Sequence, residues 1–296
     1  MSAFTEANRK AFNDLSATYN SKPWQHKISQ QVSDALQQRR EWLGVPWIQP
    51  NDDDDKSRDV RLLDYACGTG AITKALGPSV TTIRGIDISE SMVEKYNEAA
   101  LSSGLTTEQA HAVAGDLFAE KVSPQLSGPE FQLFDIAVIG LGFHHFEDPA
   151  LAIKRLAERL KPETGVLVIV DFLPFADEVA REHQHQHQHQ HSHENAHSAG
   201  EGGASEMAHT IKHTGFTREG MEKLFADGGL EGFGGSVLDE PAVMEMESGR
   251  KERKVFVARG RRSATAWGKL RGWFGGLQEV MGGQMGMMRA DGRFME

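Results

Sequence analysis

The sequence predicts a three-layer α/β fold, with a mostly parallel sheet at its centre and a helical cap at the N-terminus. Apolar or β-branched runs of strand length alternate with stretches that suit helices. Residues 134–140 form a nearly continuous apolar run, typical of a strand buried on both faces of a parallel sheet. An earlier run, residues 60–64, leads into a glycine turn and a helix start, which together place free backbone N–H groups beside a cleft.

Composition indicates one large domain, or one domain with additions, and it limits the partners. The chain has 296 residues, a net charge of -10 and one cysteine, Cys67. The acidic balance argues against a nucleic-acid partner, because such a protein needs a basic surplus to neutralise phosphates. One cysteine can make neither an internal disulfide nor a cysteine-based metal site, and no catalytic metal is expected. With no secretory signal and no apolar run of about 18 residues, we expect a soluble, cytoplasmic protein without a membrane span.

The most informative stretch is residues 60–70, with the sequence VRLLDYACGTG. A short apolar strand ends at Asp64, and a turn with Gly68 and Gly70 follows. The phosphate-binding P-loop spacing is absent, and Thr73 stands where the dinucleotide fingerprint needs its third glycine. The remaining pattern, D-x-x-x-G-x-G, resembles the first motif of the class I S-adenosylmethionine (SAM)-dependent methyltransferases.

The resemblance implies a Rossmann-like sheet of seven strands, with SAM as the cofactor and S-adenosylhomocysteine (SAH) as its product. It implies that the first motif lies against the cofactor, through Asp64, Ala66, Gly68 and Gly70. In many such enzymes a tyrosine before the core helices lies over the methionine end of the cofactor. Tyr19 matches that position, with simple packing as the alternative.

A second cofactor contact is expected at Asp87, where a β-branched strand ends. Asp87 lies 17 positions beyond Gly70, close to the distance at which an acid reaches the ribose hydroxyls of a nucleoside. Ser89 already suits the N-cap of the helix predicted for residues 90–103, so we expect Asp87 to be free for the ribose, with Ile88 beside it.

Two further strand ends complete the expected cofactor site. The resemblance implies that Asp116 contacts the adenine amino group and that the backbone of Leu117 meets a ring nitrogen, while an ordinary turn aspartate is the competing interpretation. Residues 135–146, DIAVIGLGFHHF, resemble small-molecule methyltransferases related to the ubiquinone and menaquinone C-methylating enzymes. In those enzymes the residues that follow this strand border both cofactor and substrate. In this sequence the corresponding residues begin with Leu141.

Histidines supply the candidates for acid/base catalysis. A histidine at a strand end could take a proton from an acceptor hydroxyl, thiol or amine. Adjacent residues point in different directions, so we place His144 rather than His145 in the cleft, although a loop hydrogen bond is the commoner role. His213 lies in a His-x-Gly-Phe segment that the resembled family also has before a late helix, and it is the second candidate, against a packing role.

The expected organisation has three parts. Residues 1–57 form the helical cap with an acidic connector, and residues 58–260 form the methyltransferase domain, with a disordered His-rich insertion at about 176–208. Residues 235–246 and 253–259 are expected to be the closing antiparallel strands. Residues 261–296 form a Gly- and Met-rich amphipathic tail that could contact a membrane or a protein.

The sequence therefore predicts methyl transfer from SAM to a small-molecule acceptor, by in-line positioning with at most one general base. The nature of the acceptor atom stays open. A catalytically silent SAM-binding regulatory or interaction protein is the alternative. A nucleotide-dependent oxidoreductase is disfavoured, because no tyrosine has a lysine four residues later and Thr73 replaces the third glycine.

Overall fold

The computed structural model describes residues 1–48, 58–174, 207–246 and 249–264, and a compact unit spans Met1–Arg262. Its helices are α1 (Ala3–Leu15), α2 (Pro23–Gln38), α3 (Arg40–Leu43), α4 (Ala71–Leu76), α5 (Glu90–Ser102), α6 (Pro149–Arg159) and α7 (Arg218–Asp227). Its strands are β1 (Arg61–Tyr65), β2 (Thr82–Asp87), β3 (Ala110–Ala114), β4 (Ile136–Gly140), β5 (Val166–Phe172), β6 (Leu230–Val237), β7 (Ala242–Met246), β8 (Gly249–Arg253) and β9 (Val255–Arg262).

Seven of these strands form one sheet, which confirms the predicted fold class. The strand order is β3-β2-β1-β4-β5-β9-β6, and the pairings of β9 with β5 and with β6 are antiparallel, whereas the other pairings in this sheet are parallel. β1 pairs in parallel with β2 on one side and with β4 on the other, so the strand order reverses at this point. In open α/β sheets, ligands bind beyond the carboxyl ends of the strands at such a switch point.

Helices cover both faces of the sheet, because its central strands are apolar on both sides. Successive side chains of a strand point to opposite faces. Val138 belongs to the core cluster that includes side chains of α2, α4 and α5, whereas Ile139 belongs to the cluster with α6 and α7. Both side chains are fully buried. This explains the nearly unbroken apolar run in the sequence of β4.

α5, α6 and α7 each begin at a side-chain cap, and the cap predicted at Ser89 is confirmed. Ser89 Oγ accepts the N–H of Met92 at the start of α5. Asp148 caps α6, where Pro149 takes the first helical position, and Thr217 caps α7. Such caps satisfy backbone N–H groups that have no partner inside the helix.

The closing strands differ from the prediction. Leu230–Val237 is β6 and pairs with β9, whereas Ala242–Met246 leaves the main sheet and pairs with Gly249–Arg253 in a separate two-stranded sheet. The predicted strand over residues 235–246 was therefore wrong, because it joins parts of two strands. Pro241 lies between them and has no N–H to donate to a strand ladder.

α1 is attached to the rest of the unit mainly through polar contacts. Asn8 is its one buried residue. Arg9 donates to both carboxylate oxygens of Glu90, at 2.7 and 2.9 Å, and Asn13 accepts from Ser89 and Ser91. Contacts of this kind hold α1 above the carboxyl ends of β1, β2 and β4.

Three predicted features lie wholly or almost wholly outside the described residues: the acidic connector, the His-rich insertion and the C-terminal tail. Within the residues that the structure describes, no helix combines the length and apolar character needed to cross a membrane. In the same part of the chain, no group of three or more His, Cys, Asp or Glu side chains is placed to hold a metal ion.

Candidate active site

A cavity of about 470 Å³ lies at the switch point, between the strand ends and α1. Its walls come from the turn after β1, the ends of β2 and β4, the loop after β3 and one face of α1. The volume falls in the range of about 300–1,000 Å³ that is usual for small-molecule sites. The sites predicted at separate strand ends therefore meet in one place.

In the turn after β1, the backbone faces this cavity without a side chain in between. Gly68 has a φ of 49° and Ala66 a φ of 55°, and both residues line the cavity. A Cβ built on Gly68 would meet no protein atom within 4 Å. Glycine at this position therefore keeps room for a ligand that approaches the backbone closely.

Asp87 lines the cavity at the end of β2 and also holds the turn in place. One carboxylate oxygen accepts the N–H of Gly68 and the other accepts the N–H of Ser89, each at 2.9 Å. The carboxylate is thus not as free as predicted, although each oxygen keeps a second lone pair. Burial raises the pKa of Asp87 above its usual range despite these two hydrogen bonds.

Asp64 and Gly70 lie behind the turn rather than on the cavity wall. Asp64 is fully buried and accepts the N–H and the hydroxyl of Thr73 at the start of α4. Burial raises the pKa of Asp64 to about 7. Its Oδ1 has no hydrogen-bond partner among the described residues. Gly70 has a φ of 88°, and a Cβ there would meet the ring of Tyr96 at 3.2 Å.

The loop after β3 places Asp116 on the wall but not Leu117. Asp116 lines the cavity and accepts the N–H of Phe118 at 2.7 Å. Leu117 is buried, and its N–H donates to the Tyr65 hydroxyl at 3.3 Å. The backbone contact predicted for Leu117 is therefore not supported, because Tyr65 already engages that group.

An aromatic patch lines the same end of the cavity. The ring of Tyr65 lies 4.7 Å from that of Phe118 and 5.8 Å from that of Phe146, measured between ring centroids. All three residues line the cavity. These rings give this end of the cavity an apolar surface.

Three other predicted cofactor residues lie on the wall, namely Tyr19, Ile88 and Leu141. Leu141 has a φ of 57°, which turns the chain away from β4, and its N–H donates to the carbonyl of Val170 at 2.8 Å. No pattern in the sequence predicts this left-handed conformation, because leucine rarely adopts it.

The two adjacent histidines after β4 face different surroundings, and the prediction for them was reversed. His144 is buried, does not line the cavity and shares a 2.9 Å hydrogen bond between Nδ1 and Asp171. Burial alone would raise the pKa of Asp171, but the charge and hydrogen bonds of His144 lower it below its usual range. This hydrogen bond holds the ring of His144 against Asp171 at the end of β5.

His145, in contrast, lines the cavity. Its Nδ1 lies 2.9 Å from the carbonyl oxygen of Thr210, which can only accept, so Nδ1 carries the proton and Nε2 is the acceptor. Burial, aided by the charge of His144, lowers the pKa of His145 to about 3. The side chain of His145 is therefore a neutral imidazole with a fixed tautomer on the cavity wall.

His213 lies near this pair but not on the cavity wall. Its backbone N–H donates to the carbonyl of His144, and its ring stacks near Phe216 at 5.4 Å. Burial lowers the pKa of His213, and among the described residues its Nε2 is buried without a partner. The structure thus gives His213 a packing position instead of the predicted place in the cleft.

α1 contributes residues that sequence reasoning missed. Asn8 and Phe12 line the cavity, and the Phe12 ring meets the His145 ring edge to face at 5.1 Å. The Asn8 amide nitrogen donates to the carbonyl of His145 at 3.2 Å, while its Oδ1 is buried and has no partner among the residues that the structure describes. Leaving a buried acceptor unpaired costs about 1–3 kcal/mol. An aromatic residue such as Phe12 in a predicted cap helix indicates packing more often than ligand binding, so the sequence alone does not single it out.

The residues present fit SAM. The bare turn at Gly68 gives close access to the main chain, Asp87 and Asp116 end neighbouring strands, and the aromatic patch gives an apolar surface. The described residues of the wall include five carboxylates, those of Asp87, Asp116, Glu120, Glu147 and Asp148, and no Lys or Arg side chain. This charge suits a ligand with a sulfonium group.

Comparisons with known proteins agree with this geometry. The family model described as a methyltransferase domain matches residues 24–231. An uncharacterized methyltransferase of Schizosaccharomyces pombe is 33% identical over 122 residues, which cover 41% of this chain and 42% of that protein. A ubiquinone biosynthesis O-methyltransferase of Pseudomonas syringae is 28% identical over 120 residues, which cover 40% of this chain and 47% of that protein. The matches thus span less than half of the length of these relatives.

Solved structures show the same fold. A SAM-dependent methyltransferase from Anabaena variabilis has a TM-score of 0.57 at 19% identity, over 88% of this chain and 96% of that one. The magnesium protoporphyrin IX methyltransferase of Synechocystis, solved with SAH bound, has a TM-score of 0.50 at 15% identity, over 86% of this chain and 99% of that one. Because the family model covers well over half of the chain, this protein belongs to the methyltransferase domain family, with the fold of its SAM-dependent members.

Proposed function

We propose that this protein transfers the methyl group of SAM to a small-molecule acceptor. One observation carries the proposal: Gly68, Asp87 and Asp116, at the ends of three neighbouring strands, share one cavity wall. When bound, SAM supplies a methyl group that its sulfonium already makes electrophilic. The protein has to hold the acceptor in line and keep water out.

In this proposal the cofactor-side residues act by binding. Asp87 accepts the ribose hydroxyls with the lone pairs that Gly68 and Ser89 leave unused. Asp116 accepts the adenine amino group, and the rings of Tyr65 and Phe118 cover the base. Asp64 acts indirectly, because it holds the start of α4 through Thr73.

On the acceptor side, His145 is the residue that we propose to position the acceptor. Thr210 holds its Nδ1 proton, so Nε2 is able to accept a hydrogen bond from an acceptor hydroxyl. Burial lowers the pKa of His145 to about 3, which keeps the ring neutral near pH 7 but makes it a weak base, so we assign it to orientation of the hydroxyl and not to removal of its proton. The P. syringae relative is named for O-methylation, which supports an oxygen nucleophile.

Membership of the methyltransferase domain family favours methyl transfer over the oxidoreductase alternative. A silent SAM-binding protein is the second candidate, and turnover separates it from an enzyme. A cytoplasmic location and the lack of a nucleic-acid partner are part of the same proposal, and the net charge of -10 supports the second of these.

A glycine pair tests the cofactor site. In Gly68→Ala the new methyl group would enter the cavity, whereas in Gly104→Ala it would enter open space after α5. Both glycines have positive φ values, 49° and 82°, so each substitution costs about 1–2 kcal/mol of backbone strain. We expect similar melting temperatures for the two variants, but loss of SAH binding by calorimetry only in Gly68→Ala.

Two results would contradict the proposal. If the folded wild type binds neither SAM nor SAH, methyl transfer by this protein is excluded. If Gly68→Ala binds SAH as tightly as Gly104→Ala does, the cofactor does not approach the turn, and the proposed site is wrong.

A further inference from the structure

We propose that the edge strand β6 is a docking site for an extended acidic segment of a partner protein, which adds to the sheet as a further strand. The contact uses the backbone of Gly235 and Val237 and the guanidinium group of Arg39. None of these three residues lines the cavity. The surface is therefore separate from the proposed active site, and the inference does not depend on methyl transfer.

The opposite edge of the sheet, at β3, is closed by a side chain. The amide nitrogen of Asn97 donates to the carbonyl of Ala112 at 3.1 Å, and the Asn97 Oδ1 accepts the N–H of Ala112 at 2.9 Å. Exposed strand edges are templates for pairing with other chains, and proteins commonly block them. A further strand cannot add at Ala112 without displacing Asn97.

The edge at β6 presents its backbone instead. Among the described strands, β6 ends the strand order and pairs with β9 alone. Leu238 donates its N–H to the carbonyl of Val255. In an antiparallel pair, residues that bond the partner strand alternate with residues that do not. Ser236 therefore bonds toward β9, whereas the N–H and C=O groups of Gly235 and Val237 point away from the sheet.

One contact covers this edge within the part of the chain that the structure describes. Arg218 Nη1 donates to the carbonyl of Gly235 at 2.9 Å, and no second described group bonds the outward backbone of Gly235 or Val237. Gly235 has no side chain to shield the strand, and Val237 is 46% exposed. A carbonyl oxygen has two lone pairs, so the Gly235 carbonyl can accept from an incoming N–H as well.

The charge beside this edge selects an acidic segment. Arg39 lies between α2 and α3, and its Nε and Nη2 atoms both donate to the Ser236 Oγ, each at 3.2 Å. Two parallel N–H groups match the two oxygens of a carboxylate better than they match one hydroxyl. Arg39 forms no ion pair with the described residues, so its charge is available to a ligand.

A carboxylate on an added strand is able to reach Arg39. Residues directly opposite each other in paired strands have Cβ atoms about 4.5–5.5 Å apart, so a side chain opposite Ser236 ends beside the guanidinium group. Arg259 of β9 adds a second positive charge on this face, where it lies over the ring of Trp42 at 5.1 Å. Residues 233–237 contain no Asp or Glu that would oppose an acidic ligand.

The same charges argue against other occupants. Pairing between the β6 strands of two copies would bring Arg39 and Arg259 of both copies together, and like charges on paired strands are destabilising. A nucleic acid has no peptide groups to pair with a strand edge, and the net charge of -10 repels it. Because Val237 lies on the other face from Ser236, the segment that fits best alternates acidic and apolar residues.

The test titrates the full-length protein into four fluorescent probes and follows their anisotropy. The first probe is an acetylated peptide of three Glu-Val repeats. The others are the same peptide with methylated backbone nitrogens, a peptide of three Lys-Val repeats, and an oligothymidylate of similar length. We expect the acidic peptide to bind at least about tenfold more tightly than each of the others, because it alone combines backbone donors with carboxylates.

Two variants that lose the same charge serve as a matched pair. In Arg39→Gln we expect the affinity for the acidic peptide to fall at least about fivefold, because the paired N–H groups are lost. In Arg218→Gln we expect a change below about twofold, because an exposed cation outside the carboxylate contact contributes little. The ranking of the four probes by the wild type decides the matter even if Arg39→Gln does not fold.

Amide signals of glycine and valine residues in the NMR spectrum locate the contact. We expect the acidic peptide to shift the signals of Gly235 and Val237 and to leave that of Val113, on the closed edge at β3, unchanged. Shifts confined to other residues would overturn the inference.

The remaining outcomes also decide it. Equal affinities for the acidic peptide and its methylated form would show that no strand is added. Equal losses in Arg39→Gln and Arg218→Gln would mean that general charge attraction, and not the Arg39 contact, binds the peptide. Tighter binding of oligothymidylate would assign the surface to a nucleic acid. Absence of binding by the acidic peptide would leave β6 an ordinary sheet edge.

Discussion

At the scale of single residues, Asp64 is held in an environment that opposes its charge. It is fully buried, and its Oδ1 has no partner among the described residues. In the same part of the chain, only Thr73 donates to it. Burial raises its pKa from 3.8 to about 7, so ionisation of Asp64 destabilises the folded state.

This environment predicts a pH-dependent effect of Asp64→Asn. Between about pH 4 and pH 7 the folded protein keeps a proton that the unfolded chain releases, so the contribution of Asp64 to stability falls as pH rises through this window. Asparagine has no such loss. We expect Asp64→Asn to be more stable than the wild type at pH 8, by up to about 4 kcal/mol, and to lose this advantage toward pH 4.

Urea unfolding without cofactor, followed at several pH values, measures the difference. Comparing the variant with the wild type at each pH cancels the other titrating groups, such as His145, whose lowered pKa destabilises the fold in acid. A difference that stays constant from pH 4 to pH 8 would show that Asp64 does not titrate in this range.

At the scale of elements, α1 covers the cavity and is held in place by polar contacts. Asn13 holds it with three hydrogen bonds, to Glu90, Ser89 and Ser91. The pair of Arg9 and Glu90 is partly exposed, and such surface pairs contribute only about 0–1 kcal/mol. α2 is different, because Ile28, Val32 and Leu36 anchor it in the core. The two helices are therefore expected to open separately.

The prediction concerns Asn13→Ala and is measured by hydrogen exchange. Losing three hydrogen bonds that contribute about 1 kcal/mol each should speed exchange in Ala3–Leu15 by at least about tenfold. Exchange in Pro23–Gln38 should not change. Gln30→Ala, which removes a bond within α2 at its exposed surface, is the control. Equal acceleration in both helices would mean that they open together.

At the scale of the whole molecule, charge distinguishes the cofactor from its product. The chain has a net charge of -10, and five carboxylates belong to the described cavity wall. SAM carries a sulfonium charge that SAH lacks. The field of the protein therefore attracts SAM more strongly than SAH, which would assist product release.

This difference should depend on salt, because ions screen charges at the open side of the cavity. We expect the affinity for SAM to fall several-fold between about 0.05 and 0.5 M salt, and the affinity for SAH to fall less. Calorimetric titrations of both ligands at matched ionic strengths give the two slopes. Parallel slopes would show that the carboxylates do not act on the sulfonium.

The sequence alone predicted most of the strands, the cap of α5 at Ser89 and the turn at Gly68, because these depend on neighbouring residues: apolar runs, a capping side chain and glycines at fixed spacing. Asp87 and Asp116 were predictable for the same reason, since carboxyl ends of parallel strands meet at one edge of the sheet. Only the tertiary structure decided between His144 and His145. Asp171, 27 residues beyond His144, engages one ring, and Thr210, 65 residues beyond His145, engages the other. Asn8 reached the site only because α1 lies against a loop 137 residues away, and such contacts arise from packing rather than from local pattern.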